Sequence, residues 1–247
     1  KAVVIITHKL HEVLEISDRV SILRKGEYIG TVDTADATES SLTEMMVGKK
    51  VELNIQRSVP KDPQKRLSVN NLSVYSKDGR KVLDDISFNA YSGEILGIAG
   101  ISGNGQKELL EAIAGLHLTA EGTSIELYPA EQPNSPMKLN GKSPKKIRDA
   151  GVRLAFVPED RLGMGLVGSM GMAGNMMLKS YENGLGALLN RKEPRQLASR
   201  IKDDLEVVTP NINTPVSRLS GGNVQKVLVG REIASAPSVL MTAYAVR

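Results

Sequence analysis

Apolar positions along the chain recur with two periods, and the changes of period predict its elements. Lys1-Ala-Val-Val-Ile-Ile-Thr7 is a continuous apolar run, which predicts a strand over Ala2–Thr7 buried on both faces of a parallel sheet. Leu10, Val13 and Leu14 share one helical face, so Leu10–Ile16 reads as a helix. Asp18–Arg24 and Tyr28–Val32 read as strands around the hairpin signal Lys25-Gly26-Glu27. Ser41–Val47 reads as a short helix ended by Gly48. Lys49–Arg66, with Pro60 and Pro63, keeps no period and reads as a linker.

A second set of elements follows. Leu67–Val74 alternates, and Lys81–Phe88 does so less cleanly, predicting antiparallel strands. Glu94–Ala99 is an apolar strand pattern, and Glu108–Leu116 is helical. Ser124–Gly141 is Pro-rich and reads as a loop inserted between strands. Lys145–Ala150 reads as a short helix and Val152–Val157 as a core strand. Lys192–Leu205 reads as a polar helix, Val227–Ala234 as an amphipathic one, and Val239–Thr242 as a strand. The abrupt strand at the start suggests a piece of a longer protein.

Between the strand Glu94–Ala99 and the helix from Glu108 stands Gly100-Ile-Ser-Gly-Asn-Gly-Gln-Lys107. Strand, glycine-rich turn and helix form the context of a phosphate-binding P-loop, in which backbone N–H groups and a helix N-terminus face the anion. Gly100, Ser102, Gly103, Asn104 and Gly105 supply the turn, and Glu108 opens the helix. The spacing fits G-x-x-x-x-G-K-[ST] up to Gly105, but Gln106 replaces the phosphate-binding lysine and Lys107 the Mg²⁺-binding hydroxyl. Lys107 cannot take over, because one helical step turns a side chain about 100°. A second helix start, Leu219-Ser-Gly-Gly-Asn-Val-Gln-Lys226, places Ser220, Gly221 and Gly222 as another anion-facing N-terminus.

Two such helix starts in this order resemble the P-loop and signature motif of ABC transporter ATP-binding subunits. Val157-Pro-Glu-Asp-Arg161 and the Asn223 of the second motif are similar to the second half of tandem ATPases that drive simple-sugar and nucleoside importers. The resemblance implies an α/β fold: a P-loop NTPase of ABC type, its mixed central sheet joined by an antiparallel β subdomain and a helical subdomain. Residues 1–48 would close a first nucleotide-binding domain, 49–66 would link, and 67–247 would form a second domain that stops after its Walker B strand.

The same resemblance assigns roles. His8 falls at the switch histidine, which contacts the γ-phosphate, and Tyr75 at the aromatic that stacks on adenine. Glu159 stands where the Q-loop glutamine belongs. Leu219, Ser220, Gly221, Gly222, Asn223 and Gln225 form the signature. Ala243 replaces the Mg²⁺-binding aspartate and Tyr244 the water-polarising glutamate, so no metal ligand is expected here. The Met-rich stretch Gly163–Gly174 and the helix Lys192–Leu205 would lie in the subdomain that docks on the membrane partner. Met164, Met170 and Met172 suit either an adaptable contact surface or a loosely packed helical core.

ATP and Mg²⁺ are then the expected cofactors of the full-length protein, weak or absent in this chain. Transmembrane permease subunits, a second ABC domain and, indirectly, a substrate-binding protein are the expected partners, at the cytoplasmic face of the membrane. A non-catalytic regulatory module on a degenerate P-loop is an alternative, as is an ABC-type DNA-maintenance ATPase. The latter needs coiled-coil heptads that Lys192–Leu205 is too short to supply.

Composition narrows this further. Of 247 residues, 40% are hydrophobic and 24% charged, with two Phe, six Tyr and no Trp, so the core must be aliphatic. The net charge is +4, but acidic and basic residues interleave and stacking aromatics are scarce, which argues against nucleic acid. The absence of Cys excludes disulfides and thiolate metal sites. Finally, if residues 1–48 complete the second domain, strand Ala2–Thr7 should enter a sheet beside Val239–Thr242, in the same chain or by domain swapping. The linker is long enough for this, because about 18 extended residues reach roughly 60 Å.

Overall fold

A computed structural model describes residues 1–7, 9–50, 59–101, 103–149, 154–180 and 189–243. His8, Ser102, Tyr244 and residues 51–58 of the expected linker lie outside the described residues. Two compact units divide the chain at Val59/Pro60.

The first unit is built on a hairpin. Strands β1 (Arg19–Arg24) and β2 (Glu27–Asp33) pair antiparallel, with Arg24 opposite Glu27. Lys25 and Gly26 both take positive φ (52° and 87°), the demand of a two-residue turn whose twist matches the strands. Helix α1 (Leu10–Ile16) precedes the hairpin and α2 (Glu39–Val47) follows it. Thr38 caps α2 through the Ser41 N–H, Ser41 reciprocates to the Thr38 N–H, and Gly48 ends the helix in the left-handed region. Leu42 and Ile22 are the buried apolar side chains of this unit among the described residues. The expected strand Ala2–Thr7 does not form: residues 1–7 pair with no sheet, and Val3, Val4, Ile5 and Ile6 are exposed. The expected pairing beside Val239–Thr242 within the same chain is therefore not formed. A β-branched run becomes a strand only where a neighbour supplies the ladder.

The second unit opens with β3 (Lys65–Tyr75) and β4 (Lys81–Tyr91), joined at the edge of a four-stranded antiparallel sheet in the order β4-β3-β5-β6. Leu67 and Val69 point into the core, and so do Leu72 and Val74. Alternation alone cannot bury both an odd pair and an even pair. An irregularity between Val69 and Leu72 resets the parity, with Asn71 and Asp85 at φ 51° and the Asn71 amide donating to the Asp85 carboxylate at 2.8 Å. The region expected as a loop, Ser124–Gly141, contributes β5 (Ser124–Leu127) and β6 (Met137–Lys138). Asn140 pins them: its carbonyl accepts from Ile125 N–H at 2.7 Å, and its amide donates to the Thr123 carbonyl at 2.9 Å.

Helix α3 (Gln106–Ile113) packs Leu109, Ala112 and Ile113 into the aliphatic core beneath this sheet, with Leu72, Ile125 and Leu127. After the short α4 (Pro144–Asp149), β7 (Leu154–Val157) runs parallel to β8 (Val239–Thr242), Phe156 opposite Met241. Between them in sequence lie α5 (Met172–Met177), α6 (Lys192–Asp204) and α7 (Gly221–Ala234). A second core holds these helices together through Met172, Met176, Ala198, Ile201, Val227 and Leu228. The methionines divide: Met172 is buried in that core, whereas Met164 and Met170 are exposed.

One expected strand is missing here too. Glu94–Ala99 carries no ladder, and Ile95 is 74% exposed. The parallel pair β7–β8 consequently stands apart from the antiparallel sheet.

Candidate nucleotide-binding site

The glycine-rich loop is shaped by its φ angles. Gly103 and Gly105 sit at φ 90° and 94°, and Gly105 is the residue from which α3 starts, its carbonyl accepting from Leu109 N–H at 2.8 Å. Gly105 is doubly constrained, because a Cβ there would also come within 2.6 Å of Leu83 Cδ2. Asn104 N–H donates to the Ile101 carbonyl at 3.2 Å, tightening the turn. The loop thus has the form of an anion cradle at a helix N-terminus.

Its chemistry differs from its form. The Gln106 amide donates to the Ile101 carbonyl at 3.2 Å and lies directly against Gly100. A neutral side chain thus folds back across the loop where a cation would reach a phosphate. Lys107 points along α3 instead, its ammonium 3.9 Å from Glu111, whose other oxygen meets His117 Nε2 at 2.9 Å. Glu108 adds a negative charge to the first turn, which satisfies the helix dipole but opposes a phosphate.

These residues border a cavity of about 1180 Å³. Gly100, Gly103, Gly105, Gln106, Lys107 and Glu108 line one side, and Glu159, Asp160 and Met164 another. The β8 end with Ala243 and the ladder-free Ile95, Leu96 and Ile98 complete it. Glu159 and the loop are therefore brought together. Tyr75 is not among the lining residues. It ends β3, 51% exposed, with Lys81 Nζ 5.9 Å from its ring centroid.

The donor set for Mg²⁺ does not fit. Position 107 offers no hydroxyl, and Ala243 has no side-chain oxygen to ligate a cation, its backbone being tied to β7 by the N–H donated to the Val157 carbonyl at 2.8 Å. Among the described residues no cluster of three His, Asp or Glu could hold a metal.

The second helix start is intact. Ser220 caps α7, its hydroxyl accepting from Asn223 N–H at 3.4 Å and from the Asn223 amide at 2.9 Å. The Asn223 carbonyl oxygen accepts from Val208 N–H at 3.0 Å, tying the cap to the preceding loop. Leu219 is half-buried against the helical core, while Ser220, Gly221 and Gly222 are exposed. Gln225 lies in the second turn of the same helix. None of these residues lines the cavity beside Gly105.

Sequence reasoning missed two groups around this helix. Arg161 donates to the Gly221 carbonyl at 3.1 Å. Arg231 and Glu232 are buried, Glu232 fully, and bond to each other at 3.0 Å, with Lys179 at 2.8 Å from the second Glu232 oxygen. The only signal was an adjacent charged pair inside an apolar helical run.

The family model described as "ABC transporter" matches residues 83–242. The glucose import ATP-binding protein TsgD13 of Haloferax volcanii is 36% identical over 245 residues, 97% of this chain and 43% of that protein. The ribose import ATP-binding protein RbsA of Clostridium tetani is 36% identical over 242 residues, 97% and 45% respectively. The nucleoside import ATP-binding protein NupA of Lactococcus lactis is 33% identical over 250 residues, 100% and 47%. The chain thus spans about half the length of the curated relatives it matches.

Among solved structures, the dimeric bacterial ABC transporter cassette MJ0796 matches with a TM-score of 0.57 at 22% identity, covering 71% of this chain and 72% of that one. The fold is the α/β fold of ABC cassettes, and no helix among the described residues is long and apolar enough to cross a membrane. The chain belongs to the ABC transporter family.

Proposed function

We propose that this chain is part of the ATP-binding subunit of an importer for simple sugars or nucleosides, and that it contributes its signature helix rather than its own P-loop. The observation that carries the proposal is the contrast between the two helix starts. At α3 the neutral Gln106 closes the cradle and Mg²⁺ ligands are lacking, whereas at α7 Ser220 and Asn223 hold an ordered cap. The names of the relatives, glucose, ribose and nucleoside import ATP-binding proteins, support the substrate class.

On this reading residues 1–48 belong to one nucleotide-binding domain, 49–66 link, and 67–247 belong to a second. ATP held by the P-loop of another ABC domain meets Ser220, Gly221, Gly222 and Gln225, whose N–H and hydroxyl groups stabilise charge on the transferring phosphoryl group. Mg²⁺ belongs to that complete site. When bound there, ATP would supply the phosphoryl chemistry, and this chain's residues would orient it. At its own loop, Gly100–Gly105 and Gln106 offer a weak nucleotide site. His8 has its role at the site completed by the first domain. The wider setting is a pair of transmembrane permease subunits and, through them, a substrate-binding protein, at the cytoplasmic face of the membrane.

The test is complementation. A separately produced ABC domain with an intact P-loop should hydrolyse ATP faster when this chain is added. Ser220→Arg should remove the stimulation while lowering stability by only about 1 kcal/mol, the contribution of one helix cap. No stimulation by the unmodified chain would favour the second reading, a non-catalytic interaction module, to which the missing Mg²⁺ ligands also point.

A further inference from the structure

Helix α7 is fastened to one short segment at two places. Arg161 Nη1 donates to the Gly221 carbonyl at 3.1 Å, and Arg231 Nη2 donates to the Gly165 carbonyl at 2.7 Å. Arg161 and Gly165 are the two ends of a single five-residue π turn, itself capped by the Asp160 carboxylate accepting from Gly163 N–H at 2.8 Å. Gly221 and Arg231 lie on α7 about 15 Å apart along its axis. The turn therefore runs beside the helix and is held at both ends.

The two ends differ in kind. Arg231 is buried and oriented by Glu232, which Lys179 holds in turn, so this end is a rigid anchor. Arg161 is half-buried and grips the first residue of the helix. A guanidinium at a helix N-terminus opposes the helix dipole, and the first turn of α7 carries no acidic residue to offset it. Such a cation makes electrostatic sense where an anion joins it. Gly221 and Gly222 have no side chains to hold the first turn in place, so an external donor on the Gly221 carbonyl supplies that hold.

We propose that Arg161 is a positioning residue for the phosphate-facing start of α7. It fixes the Gly221–Gly222 peptide so that the Gly222 N–H stays directed at the phosphate, and it links that start to the turn bordering the α3 cavity through Asp160 and Met164. The inference rests on the reading of the Ser220 helix start as a phosphate site.

The experiment follows backbone amide exchange and inorganic phosphate binding by NMR in the full chain, for the unmodified protein, Arg161→Gln and Arg161→Lys. Arg161→Gln should speed exchange at Val224 and Gln225 about tenfold, the factor that one charge-assisted hydrogen bond contributes. Amides from Leu228 to Arg231 should keep their rates, and the thermal midpoint should hold. Phosphate-induced shifts at Gly222 should weaken by a similar factor in Arg161→Gln and recover in part in Arg161→Lys. Unchanged exchange in Arg161→Gln would overturn the proposal. Faster exchange with no phosphate response in the unmodified chain would overturn the phosphate role and leave the fastening intact, which separates the two claims.

Discussion

The side-chain amide of Gln106 donates to the backbone carbonyl of Ile101 at 3.2 Å, so the loop built to receive a phosphate is closed by its own residue. A lysine at this position carries a cation on a longer stem and cannot rest as a neutral donor against a carbonyl in the same way. Gln106→Lys should therefore raise nucleotide affinity by about tenfold or more, because a charged hydrogen bond to phosphate contributes roughly 1.5–3 kcal/mol. A fluorescent-nucleotide titration checks this. Turnover should stay at background, since Ala243 and Lys107 still supply no metal ligand.

Gly105 holds the start of α3 at φ 94° with no room for a side chain beside Leu83. Gly105→Ala should cost about 1–3 kcal/mol from the backbone strain alone. Urea unfolding measures the loss, and nucleotide binding should fall with it. A neutral substitution would mean that the loop is not held in this conformation.

Glu232 is fully buried between Arg231 and Lys179. Glu232→Ala leaves the buried Arg231 guanidinium without its carboxylate and should destabilise the second unit by about 3–5 kcal/mol. Replacing both residues together, Arg231→Met with Glu232→Leu, should cost less than the single change, because no buried charge is left unpaired and the half-exposed Lys179 stays hydrated. Equal losses would assign the effect to packing.

In the first unit, Leu42 is fully buried and Thr38 caps the helix that carries it. Leu42→Ala should cost about 2–5 kcal/mol and Thr38→Ala about 1 kcal/mol. Amide exchange along Glu39–Val47 reads both directly.

The elements that the sequence predicted well are those whose cause is local. Lys25-Gly26 specifies its turn through φ, Gly105 and Ser220 specify helix starts, and Leu109, Ala112 and Ile113 specify the inward face of α3. What escaped prediction depends on neighbours distant in the chain. Val3–Ile6 and Ile95–Ile98 have every local mark of a strand, yet neither finds a ladder, and the pattern cannot reveal whether a partner is present. The short β5 and β6 gave too few residues for a period to show, and Asn140, which pins them, reads as an ordinary loop residue. The parity switch at Asn71 was overlooked, although the Asn70-Asn71 doublet between Val69 and Leu72 breaks the alternation and marks it.

At the site, the same division holds. The glycines, Gln106 and the Ser220 cap were legible because a motif is a local spacing. Glu159 was legible only as a position, and its place beside the loop comes from the β7 end. Arg161 and the Arg231–Glu232 pair act through the Gly221 and Gly165 carbonyls and the Lys179 ammonium, about fifty to seventy residues away, and no spacing encodes that.

The most direct test of the central claim is phosphate release from Mg-ATP by the purified chain, with a parallel nucleotide titration and a His8→Ala control. The account predicts turnover at background in both proteins and weak or undetectable binding. Steady turnover that disappears in His8→Ala would contradict it, because Gln106 and Ala243 would then have to support a competent site.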